Sequence, residues 1–290
     1  MAEDEEFKNA VSMVRLPFKP SARDKVDVSP EWYETMAKIT KEPNFRYVAR
    51  GEGVDDTCDV MLMVGWIDGA RPSAAFVPAG TSTAGSDSTP AGSSGLDTIL
   101  APLQPFLSER PRVTTLSHRR NGASPNFLTT AFRGTLMEPM KEVLMVRGRA
   151  SRVEPVMKAI ATAFREYTDY REGATFSGGS RNYLFNGAIL ASLDDTYGSS
   201  REHDAPASFA LILTWSNREG RTKFQDPTLP DLTLTPGMRP SEPFWQEKVA
   251  KPLQALVEQG ATISSWDYHR TALVKDDRGL PILGKGETVW

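Results

Sequence analysis

The sequence predicts an α+β protein that contains two copies of one unit, each ordered strand, helix, strand, strand, helix, strand. Four pairs of similar segments indicate the duplication, and they occur in the same order in both halves of the chain. The pairs are VSMVR at 11–15 with VLMVR at 143–147, the apolar run 59–66 with 208–215, PLQ at 102–104 with 252–254, and VTT at 113–115 with ISS at 263–265. Two long copies favour two packed domains, because a solenoid usually needs three or more short repeats.

The domain boundaries follow from these pairs and from local composition. The first repeat is predicted at 1–122, a connecting segment at 123–140 and the second repeat at 141–290. An insert at 78–95 within the first repeat is rich in Ser, Gly, Thr and Pro, which is typical of a flexible surface loop.

The first repeat contains a clear helix start. Ser29 is a suitable N-cap, Pro30 is favoured at the first helical position, and Glu31 is favourable in the first turn. Trp32, Met36 and Ile39 are spaced to share one buried face, and the helix is expected to end before Pro43. The remaining elements are predicted as strands at 9–16, 44–51, 57–67 and 112–119, and as a helix at 96–109.

The second repeat has the same order of elements. Ser151 is expected to cap a helix with an apolar stripe formed by Val153, Val156, Met157, Ile160 and Phe164. A second helix is predicted from Ser241 to a stop at Gly260. Because proline lacks a backbone N–H, a kink or break is expected at Pro252, and likewise at Pro102 and Pro105. Strands are predicted at 142–149, around 173–192, at 206–216 and at 261–270.

Composition and charge exclude several classes of protein. The chain has 290 residues, 39% of them hydrophobic, and a formal net charge of −3, so it has no basic surface for nucleic acid. No segment contains the run of about 20 apolar residues that a membrane-spanning helix needs, and the acidic start is unlike a signal peptide. The single cysteine, Cys58, cannot form an internal disulfide, so a cytoplasmic location without membrane partners is expected.

The predicted element order and the tryptophans that end both third strands resemble a known superfamily. A four-stranded antiparallel sheet covered by two helices is the ferredoxin-like unit, and two such units resemble a fused pair of the dimeric α/β-barrel superfamily. That superfamily includes antibiotic-biosynthesis-monooxygenase-like proteins, EthD-like proteins and cyclases of fungal secondary metabolism. The resemblance covers roughly residues 8–120 and 140–270. It implies an intramolecular pseudo-dimeric barrel, either monomeric or homodimeric, with pockets between each sheet and its helices.

Candidate catalytic residues lie at the ends of the two fourth strands. His118 and His269 could act as general acids or bases near neutral pH, or they could be solvent-facing residues at a strand end. Asp267 shares a strand face with His269 and could orient it, whereas Tyr268 takes the opposite face. The PLQ match aligns His118 with Tyr268, so the two histidines are not equivalent unless a bulge intervenes.

Candidate substrate-binding residues occupy matched strands. Arg15 and Arg147 could bind a carboxylate, enolate or phenolate, or they could form an ion pair or lie exposed at a strand end. Aromatic residues that could line a pocket are Tyr47, Tyr183, Trp66 and Trp215, the tryptophans being equally explained by burial in a core.

Motifs for cofactor chemistry are absent from the sequence. Three histidines and one cysteine form no zinc motif, and there is no P-loop, dinucleotide fingerprint or nucleophile elbow. The resemblance then implies a cofactor-independent cyclase or isomerase acting on an apolar polyketide- or terpenoid-type intermediate of secondary metabolism. The alternatives are a cofactor-free monooxygenase of a phenolic substrate and a non-catalytic ligand-binding or stress-response barrel. We expect one principal pocket, in the second half, where Asp267, Tyr268 and His269 are consecutive.

Overall fold

The structure is a computed structural model of the chain, and it groups the described residues into two compact units. It describes residues 8–67, 72–76, 95–118, 140–174, 184–191, 206–215, 218–226 and 244–285. The first unit contains the described residues up to His118 and those from Arg270 onward, and the second contains those from Met140 to His269. Most of the predicted insert at 78–95 and nearly all of the connecting segment at 123–140 lie outside the described residues.

The first unit follows the predicted order of elements. Its elements are β1 (Lys8–Pro17), α1 (Arg23–Val26), α2 (Pro30–Ile39), β2 (Phe45–Gly53), β3 (Asp59–Trp66), a 3₁₀ turn (Ala74–Phe76), α3 (Gly95–Leu100), a 3₁₀ segment (Ala101–Phe106) and β4 (Arg112–His118). The helix α2 begins as predicted, since the Ser29 side chain accepts a hydrogen bond from the Trp32 backbone N–H at 3.1 Å. The short helix α1 is not predicted by the sequence.

The second unit has the same order of strands, but its extra helix follows the third strand, whereas that of the first unit follows the first strand. Its elements are β5 (Met140–Arg149), α4 (Ala150–Ala174), β6 (Leu184–Ala191), β7 (Pro206–Trp215), α5 (Arg218–Gln225), a π-helical segment (Gln246–Ala250), α6 (Lys251–Glu258) and β8 (Thr262–Leu273). Two details of the prediction are wrong. Ser151 lies inside α4 and does not cap it, and residues 173 and 174 are helical, so that β6 begins only at Leu184.

Each unit contains a four-stranded antiparallel sheet. The strand order is β4–β1–β3–β2 in the first unit and β8–β5–β7–β6 in the second. This order, with helices after the first and third strands, is that of a ferredoxin-like unit. The α+β class and the antiparallel pairing are therefore confirmed for the described residues, whereas the tandem duplication and the closure into a pseudo-barrel stay predictions.

The strand registers of the two units can be compared at the matched sequence segments. Arg15 lies opposite Arg112 on the fourth strand, and Arg147 lies opposite Thr262, as the sequence match requires. On the third strand, however, Arg15 lies opposite Met61 whereas Arg147 lies opposite Ser208, two residues before the position matched to Met61. A shift of two residues keeps every side chain on its original face, so the apolar pattern tolerates it.

The prolines interrupt their helices as predicted. Pro252 has no N–H to donate to the carbonyl four residues earlier, and the preceding turn is π-helical, with the Lys251 N–H bonded to the Gln246 carbonyl. In the first unit, Pro102 and Pro105 coincide with a change from α-helix to 3₁₀-helix after Leu100. Gly260 has a φ of +88° just beyond α6, which confirms the predicted glycine stop.

The core of the first unit lies between its sheet and its helices. Alternate residues of β1 and β3 point toward α2 and α3, and the face of α2 predicted from Trp32, Met36 and Ile39 is buried against them. The largest fully buried side chains in this part are Trp32, Trp66, Phe18, Phe76, Leu16, Met36, Ile39, Leu62 and Leu100.

None of the described helices is both long and apolar enough to cross a lipid bilayer.

Candidate functional site

A pair of carboxylates lies between neighbouring strands of the second unit. Glu142 on β5 is directly opposite Asp267 on β8, so both side chains lie on the same face of the sheet. The Glu142 side chain is only 7% exposed and that of Asp267 15% exposed. Two adjacent carboxylates with so little solvent repel each other strongly, and a nearby cation is required to keep both ionised.

Helix α5 supplies that cation. The Arg221 guanidinium donates a short hydrogen bond through Nη1 to Asp267 Oδ2, and the same nitrogen lies 4.0 Å from Glu142 Oε1. Gln225 follows one helical turn later, and its Nε2 lies 3.5 Å from Glu142 Oε2. The Gln246 side chain in turn donates to the Gln225 carbonyl at 3.1 Å, which ties the π-helical segment to α5.

Two polar atoms at this site are buried without a hydrogen-bond partner. They are Asp267 Oδ1 and His269 Nε2, and Asp27 Oδ1 in the first unit is the third such atom among the described residues. Asp267 and His269 are two residues apart on β8, so they share a face with their α-carbons about 7 Å apart. Buried polar atoms in proteins nearly always have a partner, so this pair is suited to bind or exchange protons with a ligand.

The surroundings of this site are apolar. A Cβ at Gly148 would come within 2.9 Å of Val153 Cγ2, so the first turn of α4 packs against the end of the β5 face that carries Glu142. Leu213 lies opposite Glu142 on β7 and is fully buried. The other buried residues that these strands place on the same face are Leu144, Val146, Phe209 and Leu211.

Tyr268 occupies the opposite face of β8. It is 3% exposed and lies opposite Lys141 in the strand register. Burial raises the pKa of the Tyr268 phenol, so this group is neutral at physiological pH. Of the consecutive residues Asp267, Tyr268 and His269, the structure therefore brings the first and third together and separates Tyr268 from them.

The predicted arginines have different surroundings. Arg15 Nε lies 2.8 and 2.7 Å from the two carboxylate oxygens of Asp59, and this hydrogen bond raises the pKa of Arg15. The Arg15 side chain is 37% exposed. Arg147 is also exposed. The role of both arginines in substrate binding stays a prediction.

Tyr47 and Trp66 are packed within the first unit. The Tyr47 ring covers Gly65, where a Cβ would come within 2.2 Å of the ring. Trp66 is 1% exposed, and its indole N–H donates to Ser12 Oγ at 2.9 Å. Because Thr115 Oγ1 donates to the Phe76 carbonyl at 2.6 Å, Ser12 must in turn donate to Thr115 at 2.8 Å. This fully satisfied chain accounts for Trp66 as a core residue.

The remaining predicted site residues lie partly or wholly outside the described residues. Tyr183 is outside them, as are the side chains of His118 and Trp215. The His118 backbone lies opposite Lys8, and a register shift between Lys8 and Val11 adds one residue to β1. This bulge is on β1 and leaves the alternation of β4 unchanged, so it does not make His118 equivalent to His269.

A second charged cluster lies in the first unit. Arg23 pairs with Asp27 and Glu52, and Arg50 pairs with the same two carboxylates. Burial and the nearby Arg23 lower the pKa of Arg50. Two cations face two carboxylates here, so the cluster is balanced in charge and is best explained as a structural link between α1 and β2.

Sequence reasoning missed Glu142, Arg221 and Gln225. A glutamate inside a predicted buried strand is a usable signal, because an isolated buried carboxylate is costly and implies a partner. No comparable signal marks Arg221 or Gln225, since the segment around them is polar and has no apolar stripe. Among the described residues, no three histidine, cysteine, aspartate or glutamate side chains are grouped so that they could hold a metal ion.

Comparisons with known proteins give structural similarities only. No family model and no curated protein matches the chain. An anthrone oxidase-like protein has a TM-score of 0.48 at 9% identity, covering 93% of this chain and 94% of that one. A putative monooxygenase from Fusobacterium nucleatum has a TM-score of 0.43 at 6% identity, covering 96% and 98%. One from Lactobacillus acidophilus has 0.40 at 9%, covering 95% and 99%. All three TM-scores lie below 0.5, and the fold assignment therefore rests on the strand order.

Proposed function

We propose that the protein is a cofactor-independent cyclase or isomerase that moves protons on a small apolar substrate of the polyketide or terpenoid type. The supporting observation is the pair of buried, unpartnered atoms, His269 Nε2 and Asp267 Oδ1, on one face of β8. A site of this kind needs one group that takes a proton and returns it at a second atom, and another that orients the substrate, and these two side chains supply both.

The roles follow from the chemistry of the two groups. Histidine exchanges protons readily near neutral pH, so His269 removes a proton from carbon or oxygen of the substrate. Asp267 Oδ1 accepts a hydrogen bond from the same substrate, and the proton taken up by His269 is returned at a second atom. No electron is gained or lost and no atom is removed, so the product is an isomer of the substrate.

The apolar neighbours of the site support an apolar substrate. Leu144, Val146 and Leu213 lie on the same face as the carboxylate pair and are buried. A mainly apolar cavity with a few polar groups is the usual pattern for binding small organic molecules. In such surroundings a proton-transfer residue also acts with little competition from water.

The test measures proton transfer directly on flat, enolisable aromatic ketones. Anthrone and α-tetralone are incubated anaerobically with the protein in deuterium oxide, and deuterium incorporation at carbon is followed by NMR. We expect the wild-type protein to accelerate the exchange, and we expect His269→Gln to reduce the accelerated rate by about 100-fold or more. Asp267→Asn should also reduce it, whereas Asp277→Asn, at an exposed position in a turn, should leave it unchanged.

Three outcomes oppose the proposal. Exchange that is equally fast in the wild type and in His269→Gln would remove His269 from the reaction. Oxygen consumption with the same ketones in air, without isomerisation, would favour a monooxygenase. Tight binding of the ketones without exchange or oxidation would favour a non-catalytic ligand-binding protein.

A further inference from the structure

We propose that Arg221 is a positioning residue of this site, which holds one oxygen of Asp267 so that the other remains available beside His269. This inference rests on the proposed function, since it assigns Arg221 a role in the same proton-transfer site. Arg221 would touch the substrate at no point in the reaction and would act through Asp267.

Arg221 contacts Asp267 more closely than Glu142, and this difference is the first reason to assign it a positioning role. Its Nη1 is hydrogen-bonded to Asp267 Oδ2 but remains 4.0 Å from Glu142 Oε1. Asp267 Oδ1 has no partner. Arg15, by comparison, is hydrogen-bonded to both oxygens of Asp59. Asp27 in the first unit is also held through Oδ2 alone, with Oδ1 lacking a partner, so the single contact distinguishes Asp267 only together with the second unpartnered atom on the same face, His269 Nε2. The contact with Arg221 fixes the Asp267 side chain and leaves one of its oxygens without a partner.

The position of Glu142 is the second argument. Because Glu142 and Asp267 are opposite each other on adjacent strands, their charges repel across a short distance. Arg221 lies near both and offsets that repulsion, while Gln225 contacts Glu142 from the next turn of the same helix. Loss of Arg221 would therefore free Asp267 to turn away from Glu142 and from His269.

The first unit offers a matched comparison. Arg23 also contacts two carboxylates, and its side chain is 12% exposed against 16% for Arg221. There, however, Arg50 contacts the same carboxylates. Arg23→Gln is thus a control that removes a buried arginine from an ion-pair cluster in the other unit.

The experiment is a double-mutant cycle with two readouts. Arg221→Gln, Arg221→Lys, Asp267→Asn, the double variant Arg221→Gln/Asp267→Asn and Arg23→Gln are compared in the ketone exchange assay, which gives kcat and KM. The second readout is the imidazole Cε1–H NMR resonance of His269, which is assigned by its loss in His269→Gln. The chain has three histidines, so these resonances are few.

We expect Arg221→Gln to lower kcat by about 10- to 100-fold with little change in KM, because a misplaced group slows the chemical step more than it weakens binding. Arg221→Lys should recover much of that loss. In the Asp267→Asn background, Arg221→Gln should change neither kcat nor the His269 resonance further, since it acts through Asp267. Arg23→Gln should leave kcat and the resonance unchanged.

Additive effects of the two substitutions, or an equal loss of kcat in Arg23→Gln, would overturn the inference. If the wild-type protein exchanges no ketone proton, the proposed function fails. The shifts of the His269 resonance in the same set of variants still decide whether Arg221 acts through Asp267. If Arg221→Gln does not fold, the cycle is carried out with Arg221→Met, which keeps the length of the side chain without its charge, and additive shifts of the resonance would again contradict the inference.

Discussion

At the scale of single residues, strand alternation places Asp267 and His269 on one face of β8 and Tyr268 on the other. Asp267 and His269 each keep a buried atom without a partner, while Tyr268 between them is 3% exposed. Burial in apolar surroundings raises the pKa of the Tyr268 phenol, because the phenolate cannot be solvated there. Tyr268 therefore contributes to stability as a neutral group.

This raised pKa predicts a dependence of stability on alkaline pH. The unfolded chain ionises tyrosine at about pH 10, whereas the folded chain keeps Tyr268 protonated. The contribution of Tyr268 to stability is fully present below about pH 10 and is lost as the pH rises above it. We expect the free energy of unfolding of Tyr268→Phe, measured in urea, to fall less steeply than that of the wild type between about pH 10 and 11.

The control for this prediction is Tyr33→Phe, which removes a hydroxyl from a partly buried tyrosine packed against the first-unit core. It controls for the loss of a tyrosine hydroxyl as such. A Tyr268→Phe variant that loses stability as steeply as the wild type would show that the phenol does not resist ionisation in the folded state.

At the scale of elements, α2 shows how local sequence signals set a helix start. The Ser29 side chain satisfies the Trp32 N–H, and Pro30 occupies a position whose N–H would have no partner within the helix. The helix then places Trp32, Met36 and Ile39 in the core of the first unit.

We expect Ser29→Ala to lower the free energy of unfolding by about 1 kcal/mol, because it removes the cap from α2. Equilibrium urea unfolding of the wild type and the variant measures this difference. Ser29→Asp keeps a side-chain acceptor at the cap and should restore most of the loss. Equal stability of Ser29→Ala and the wild type would show that the cap contributes nothing.

The two-residue shift between the third strands also belongs to this scale. The pairing of β5 with β8 has the same register as the pairing of β1 with β4, as the matched segments predict. The pairing of β5 with β7 is displaced by two residues relative to that of β1 with β3. The apolar alternation permits both registers, because the shift moves each residue by one full period of the strand.

At the scale of the whole molecule, the end of the chain belongs to the first unit. β8 begins in the second unit, and from Arg270 onward the described residues group with the first. Val274 is 4% exposed within the first-unit core, and its N–H donates to the Val48 carbonyl at 3.0 Å. The Gly284 N–H donates to the Arg46 carbonyl at 2.6 Å. These bonds support the first half of β2.

We expect a chain truncated after Leu273 to have a destabilised first unit, because it loses the buried Val274 and both backbone bonds to β2. Hydrogen–deuterium exchange with mass spectrometry should show faster exchange in peptides from Phe45–Gly53 than in the wild type. A chain truncated after Lys285 keeps Val274 and Gly284 and is the matched control. Unchanged exchange in β2 after the longer truncation would contradict this assignment.

Much of the fold could be predicted from the sequence because its signals are local. Apolar runs predicted the strands, the Ser-Pro-Glu motif predicted α2, and Pro252 predicted a distortion that the structure contains as a π-helical segment. Helix α5 could not be predicted in this way. All its residues except Gly220 and Phe224 are polar, and its tie to the rest of the unit comes from long-range contacts such as that between Arg221 and Asp267.

The sequence by itself determined the order of the strands in both units. It also determined the shared face of Asp267 and His269, because the alternation of side chains is a property of any strand. The tertiary structure decided that Glu142 lies opposite Asp267 and that α5 brings Arg221 to both. The physical reason is that register and helix docking join residues more than 40 positions apart in the chain, and no local pattern records which partners meet.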